Sequence, residues 1–158
     1  MDTNRTVLTA EHVMQRSVFV LRPETAVLDA VQALLHRGFS GAPVVEAGRL
    51  VGVFSERDAL TAIAAAHYDD EPPGTVAQHM RRDFAVIGHD TDLYEIASCF
   101  REQPIRRLPV VDRQRHLLGI VSRGDVLRAL SQLYQHREKS NYERLQEHMA
   151  RRFGSVHG

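Results

Sequence analysis

Residues 50–58 read L-V-G-V-F-S-E-R-D, and residues 117–125 read L-L-G-I-V-S-R-G-D. An apolar run ending on Ser, with Asp three residues later, reads as a buried strand meeting the start of a helix. Its recurrence decides the fold. Just upstream, A-P-V-V-E at 42–46 answers L-P-V-V-D at 108–112. Further upstream, V-M-Q-R-S-V-F-V-L-R-P-E-T at 13–25 answers H-M-R-R-D-F-A-V-I-G-H-D-T at 79–91. Met14 and Met80, Thr25 and Thr91, and Pro43 and Pro109 each lie 66 residues apart. The turn at 112–116 carries one extra residue. Gly52 and Gly119, Ser55 and Ser122, and Asp58 and Asp125 are therefore 67 apart. A repeat of this length means two copies of one supersecondary unit. Two such copies facing each other have a seam, and function is expected there.

Within each copy the pattern predicts β-α-β-β-α. A short apolar strand comes first, at Val18–Leu21 and Ala85–Ile87. Thr25 and Thr91 then stand where a side-chain oxygen can cap a helix. Val27, Leu28, Val31, Leu34 and Leu35 fall at helical spacing, as do Leu93, Tyr94, Ala97 and Phe100 in the second copy. Gly38 suits the residue after the first helix, and Pro104 stops its counterpart. Strands follow at Ala42–Val45 and Leu50–Phe54, and again at Leu108–Val111 and Leu117–Val121. A last helix starts at each S-x-x-D, over Glu56–His67 and from Gly124 onward. The chain thus divides into a first repeat at 1–67, a linker at 68–75, a second repeat at 76–130, and a charged tail at 131–158. The linker Y-D-D-E-P-P-G-T has the composition of a loop. In the tail, Tyr142, Leu145, Met149 and Phe153 recur at steps of 3, 4 and 4, which predicts an amphipathic helix. The fold class is α/β, with two units related by a pseudo-twofold axis and their sheets face to face.

Composition narrows the function. The 158 residues suffice for one buried core. Twenty basic and twenty acidic residues cancel, which argues against a dedicated nucleic-acid binder. The single cysteine, Cys99, excludes an internal disulfide and falls on an apolar helix stripe, as a small hydrophobe. No apolar run reaches the ~18 residues of a membrane span, and the first residues lack the apolar core of a signal peptide. A cytoplasmic location is the default expectation. The nine histidines show no metal-ligand spacing. No phosphate-binding loop or G-x-S-x-G nucleophile motif occurs, so no enzyme activity, catalytic residue or metal site is expected.

Each S-x-x-D has two readings. Ser and Asp can simply cap a helix and favour its dipole. Alternatively, a carboxylate in the first turn accepts two hydrogen bonds from a ribose diol, and the helix N-terminus favours a phosphate.

These features, twice over and in this order, resemble the CBS-domain family in its tandem-pair form, the Bateman module. The resemblance covers roughly Val13 to Leu130. It implies a non-catalytic regulatory module binding an adenosine-type ligand: AMP, ADP, ATP or S-adenosylmethionine. In the family, each cleft takes its ribose-binding Asp from one repeat and much of its adenine pocket from the other. One cleft would combine Ser122 and Asp125 with Phe19, Phe39, Ser40, Gly41 and Pro43. Phe19 and Phe39 would wall a purine, and backbone near Ser40 would read its edge. The second cleft would combine Ser55 and Asp58 with Ala85, Ile105, Arg106 and Pro109. Basic residues before the h-P-V strand often reach a phosphate in the family. Arg106 and Arg107 stand there, and Arg107 would serve the Asp125 cleft. The Asp58 cleft has no matching cation, although Arg57 and Arg123 could lean in.

The resemblance further implies a homodimer through the helices Glu56–His67 and Gly124–Gln135, which carry Leu60 and Ile63 outward. With no output domain recognisable, a signal would pass to a separate effector protein, with the C-terminal helix as its contact. Two alternatives stand beside this reading. One is a dimerisation scaffold with empty clefts. The other is nucleic-acid binding through Arg106 and Arg107, Arg81 and Arg82, and Arg151 and Arg152.

Overall fold

Each repeat's leading segment is built into the other repeat. The computed structural model describes residues 7–153, without the side chain of Phe153. The chain opens with α1 (Ala10–Val13), then α2 (Val27–Arg37), β1 (Gly41–Glu46), β2 (Arg49–Ser55) and α3 (Glu56–Asp69). The second repeat follows as α4 (Val76–His79), β3 (Ile87–Gly88), α5 (Leu93–Glu102), β4 (Arg107–Val111), β5 (Leu117–Ser122) and α6 (Arg123–Phe153). The antiparallel pairs β1–β2 and β4–β5 share one register, with Pro43 opposite Val53 and Pro109 opposite Ile120. The mixed α/β class and the duplicated hairpins agree with the sequence reading.

Two cores form, and the segments that feed them cross over. Ala10 and Met14 are buried in the second-repeat core with Leu93, Ile96, Leu108, Val110 and Val121. Val76 is buried in the first-repeat core with Leu34, Val44 and Phe54, and Met80 packs against it. The backbone follows: Gln15 exchanges hydrogen bonds with Ile120 on β5, and Arg81 with Val53 on β2. Gly52 and Gly119 make the crossings possible. A Cβ on Gly119 would lie 2.8 Å from both Met14 Sδ and the Gln15 carbonyl, and one on Gly52 2.5 Å from Met80 Sδ. The hairpins also meet at their tips, where the Leu50 N–H donates to the Arg115 carbonyl and the Leu117 N–H to the Gly48 carbonyl.

Several local expectations need correction. Val18–Leu21 forms no strand: Leu21 makes one isolated parallel bridge to Val44, because only its own N–H and C=O reach β1. The matching strand in the second repeat is two residues, Ile87–Gly88. Thr25 and Thr91 cap no helix. Their hydroxyls accept from the Arg22 and Gly88 N–H groups and close the preceding turns. The caps are one residue later, at Ala26 and at Asp92, whose carboxylate accepts from the Tyr94 N–H at 2.7 Å. Helix α2 turns Val27, Ala30 and Leu34 inward and leaves Leu28 and Leu35 exposed. In α5 the buried residues are Leu93 and Ile96, and Tyr94 is exposed. Ile63 is half-buried against the first core rather than turned outward. Cys99 is half-buried against the second core.

Other local features follow their residues. Gly38 closes α2 at φ 67°, the left-handed conformation glycine tolerates. The turn at 112–116 is built by Asp112, whose Oδ1 accepts from the Gln114 and His116 N–H groups. Burial pushes the Asp112 carboxyl up, but the His116 and Gln114 donors outweigh it and hold it below the ordinary carboxylate range.

Helix α6 runs unbroken from the second repeat into the tail, so position 130 marks no structural break. Beyond Leu133 its described side chains are exposed, apart from a half-buried Ser140. Tyr142, Leu145 and Met149 of the expected stripe are 62%, 58% and 51% exposed, and the Phe153 side chain lies outside the described residues. Among the described residues no helix is long and apolar enough to cross a membrane.

Gly119→Ala should destabilise the chain by about 1–3 kcal/mol, the usual cost of overpacking a closed contact. Gly124→Ala is the control, since its Cβ would meet only Ser122 Oγ at 3.6 Å. Denaturant titration of both decides it, and equal midpoints would mean the crossing is loose. A chain ending at Gln135 should unfold in one cooperative transition, since neither core contains a residue beyond Leu133. Loss of that transition in circular dichroism would place the tail within the core.

Candidate functional site

The two S-x-x-D segments form the same device. Ser55 caps α3, and its N–H and Oγ–H donate to Asp58 Oδ2, each at 2.9 Å. Ser122 sits at the start of α6, where its N–H donates to Asp125 Oδ2 at 2.8 Å and its Oγ accepts from the Asp125 N–H at 3.1 Å. One carboxylate oxygen, Oδ2, is thus committed to the cap in each copy, and Oδ1 takes no part in it. The capping reading of the motif is real in both repeats. It leaves a ligand role open at Oδ1.

Around Asp125 a cleft of about 230 Å³ opens between the repeats. It is lined by Phe19, Phe39, Gly41 and Pro43 from the first repeat and by Arg107, Ser122 and Asp125 from the second. Asp125 is the buried charged residue among those described, at 7% exposure. Its Oδ1 accepts from Gln15 Nε2 at 3.3 Å and from Arg128 Nη2 at 3.1 Å. These donors give hydrogen-bond partners to a carboxylate that is largely out of water. The Phe19 and Phe39 ring centroids are 6.2 Å apart, tilted by 42°. The Arg37 guanidinium lies 4.3 Å from the Phe19 centroid and that of Arg107 5.2 Å from the Phe39 centroid.

Ser40, expected in this cleft, stands outside its lining, as does Arg106, which was assigned to the Asp58 side. Ser40 is exposed, and its carbonyl accepts from the Glu56 N–H at 2.9 Å, at the start of α3. Arg106 is exposed, and its carbonyl accepts from the Arg123 N–H at 3.2 Å. Gln15, Ser17, Val18 and Ile120 line the cleft without having been singled out from the sequence. Gln15 arrives because the segment after Met14 crosses to β5. The doubled Met was the available signal, but its destination depends on topology.

The Asp58 side differs. Asp58 is nearly buried, and Arg81 Nε lies 3.9 Å from its Oδ2. Gly41 holds the place that matches Arg107, and the cation beside the Asp58 carboxylate is neither Arg57 nor Arg123 but Arg81, the repeat partner of Gln15. Sequence reasoning missed it for the same reason. Ala85 and Ile105 replace the two phenylalanines and pack on the second core, while Pro109 is buried in β4. The Phe19–Phe39 pair thus has no aromatic counterpart at positions 85 and 105. Among the described residues no group of three His, Cys, Asp or Glu side chains is placed to hold a metal ion.

Comparison with known proteins follows the same division of the chain. The family model for the CBS domain matches twice, at residues 10–65 and 76–132. The chloroplastic CBS domain-containing protein CBSX2 of Arabidopsis thaliana is 30% identical over 152 residues, covering 80% of this chain and 64% of its own length. The crystal structure of CBSX2 in complex with AMP is similar at a TM-score of 0.71 and 32% identity, over 80% of this chain and 98% of that one. The CBS domain pair of MJ0100, in complex with 5-methylthioadenosine and S-adenosyl-L-methionine, shares the fold at a TM-score of 0.66 and 21% identity, over 79% of this chain and 97% of that one. Some curated relatives are much longer: this chain spans 37% and 42% of two uncharacterised proteins of Methanocaldococcus jannaschii, MJ1232 and MJ0188. With two matched copies covering most of its length and exchanging their leading segments, the chain belongs to the CBS-domain family, as a tandem pair.

Proposed function

We propose that this chain is a non-catalytic sensor that binds an adenosine-type ligand in the Asp125 cleft and passes the signal to a separate protein. The observation that carries the reading is the chemistry gathered there. Two phenylalanines suit a purine, a buried carboxylate suits a ribose diol, and Arg107 with the α6 N-terminus suits a phosphate. The AMP complex of the 32% identical CBSX2 supports the same ligand class. Gln15 sits on Asp125 Oδ1 through a long, neutral hydrogen bond. A ribose hydroxyl can replace that donor at small cost, since one hydrogen bond is exchanged for another.

Of the two clefts, the Asp125 side is the stronger candidate. It has the aromatic wall, whereas Asp58 holds an arginine at its carboxylate. The family's adenosine compounds share the base and sugar, so AMP, ADP, ATP and S-adenosylmethionine remain distinct predictions of one site. The outward faces of α3 and α6 carry Leu60 and Leu127, 71% and 65% exposed, which favours association of two copies there. The exposed half of α6 is the proposed effector contact.

AMP should raise the melting temperature, because a ligand that binds the folded state stabilises it by mass action. At ~100 times its dissociation constant the gain is ~2.7 kcal/mol. A flat melting profile with every adenosine compound at millimolar concentration would favour the scaffold with empty clefts. Asp125→Ala should abolish most of the AMP shift, and Asp58→Ala should spare it. Calorimetry on both variants reads the ranking directly, and a larger loss in Asp58→Ala would reverse it.

A further inference from the structure

Arg107 lines the Asp125 cleft and lies over a ring that lines it too, with its guanidinium 5.2 Å from the Phe39 centroid. Among the described residues no carboxylate lies within ion-pair distance of it, so its contact is the ring. Phe19 and Phe39 stand 6.2 Å apart centroid to centroid and tilted. A flat ring inserted between two others needs roughly 7 Å, twice the optimal carbon separation. A purine therefore cannot slide between them as they stand. It must stack on a cleft-facing ring surface, and on Phe39 that surface is covered by Arg107. Phe19 also carries a cation, Arg37 at 4.3 Å from its centroid, but Arg37 is not part of the cleft lining.

We propose that Arg107 is a specificity gate: its guanidinium occupies the base-stacking surface of Phe39 and leaves it only when a ligand phosphate takes the cation. This rests on the adenosine-ligand reading of the cleft. A nucleoside without phosphate must push the guanidinium off the ring and offers it nothing in return. A nucleotide displaces it with the base and receives it with the phosphate, through parallel charge-assisted hydrogen bonds. The cleft therefore selects phosphorylated adenosines by penalising the others. Arg107 suits the task by position as well as chemistry. It opens β4, is exposed, and pairs through its backbone with Ser122, so its side chain can swing without disturbing the sheet.

The signature is a change of opposite sign in one variant. Calorimetric titration of the full chain with AMP and with adenosine should show Arg107→Ala weakening AMP by about ten-fold or more. The same substitution should tighten adenosine about three-fold, by removing a competing cation–π contact. Melting of the variant without ligand confirms that it folds, and Arg107→Gln repeats the comparison with a neutral planar group. If AMP weakens while adenosine is unchanged or weaker, Arg107 is a plain phosphate contact and the gate is overturned. If neither compound binds the parent or the variant, the adenosine reading itself fails and the gate with it.

Discussion

Everything in this molecule hangs on two methionines passing over two glycines. Met14 crosses β5 at Gly119 and Met80 crosses β2 at Gly52, with no space at either crossing for a single added carbon. The contact closes each core with a segment drawn from the other repeat. It also delivers the next residue, Gln15 or Arg81, to the capping carboxylate of that other repeat. The clefts are therefore products of the exchange. The residue after each methionine reports on an Asp more than a hundred positions away in one case, and twenty-odd in the other.

The two halves keep one backbone plan and have diverged in side chains where the plan opens to solvent. Caps, hairpin registers and crossing glycines agree between copies. Phe19 and Phe39 have Ala85 and Ile105 as counterparts, and the arginine that meets the carboxylate comes from a different element in each copy: α6 at Asp125, the crossing segment at Asp58. A duplicated scaffold can hold two similar backbones while presenting two unlike chemistries. The two sides thus differ in chemistry without any change of fold.

How much of this could be read from residues alone follows from the range of each interaction. The S-x-x-D caps and the two hairpins were legible because strand alternation and capping are local, and the repeat read each of them twice. The cleft side chains Phe19, Phe39, Arg107 and Asp125 came from the resemblance, which carries topology that spacing does not contain. Gln15 and Arg81 were out of reach because their role depends on where the crossing segment lands. Thr25 and Thr91 misled because a threonine before a helix can cap the turn as well as the helix, and the turn won. Leu28 and Leu35 misled because five apolar residues were assigned to one face when only part of that face had a core to meet.

Helix α6 runs from the Asp125 cleft into solvent as one continuous element. Asp125 and Arg128 lie in its first turns, and it continues for 31 residues to Phe153. At 1.5 Å per residue that is a rod of about 46 Å. Its base packs on the second core, and the described side chains of its far half are exposed apart from Ser140. A rod of that length amplifies any tilt at its base. A tilt of about 5° at its base, too small to disturb a packed core, sweeps the distal end through about 4 Å over that length.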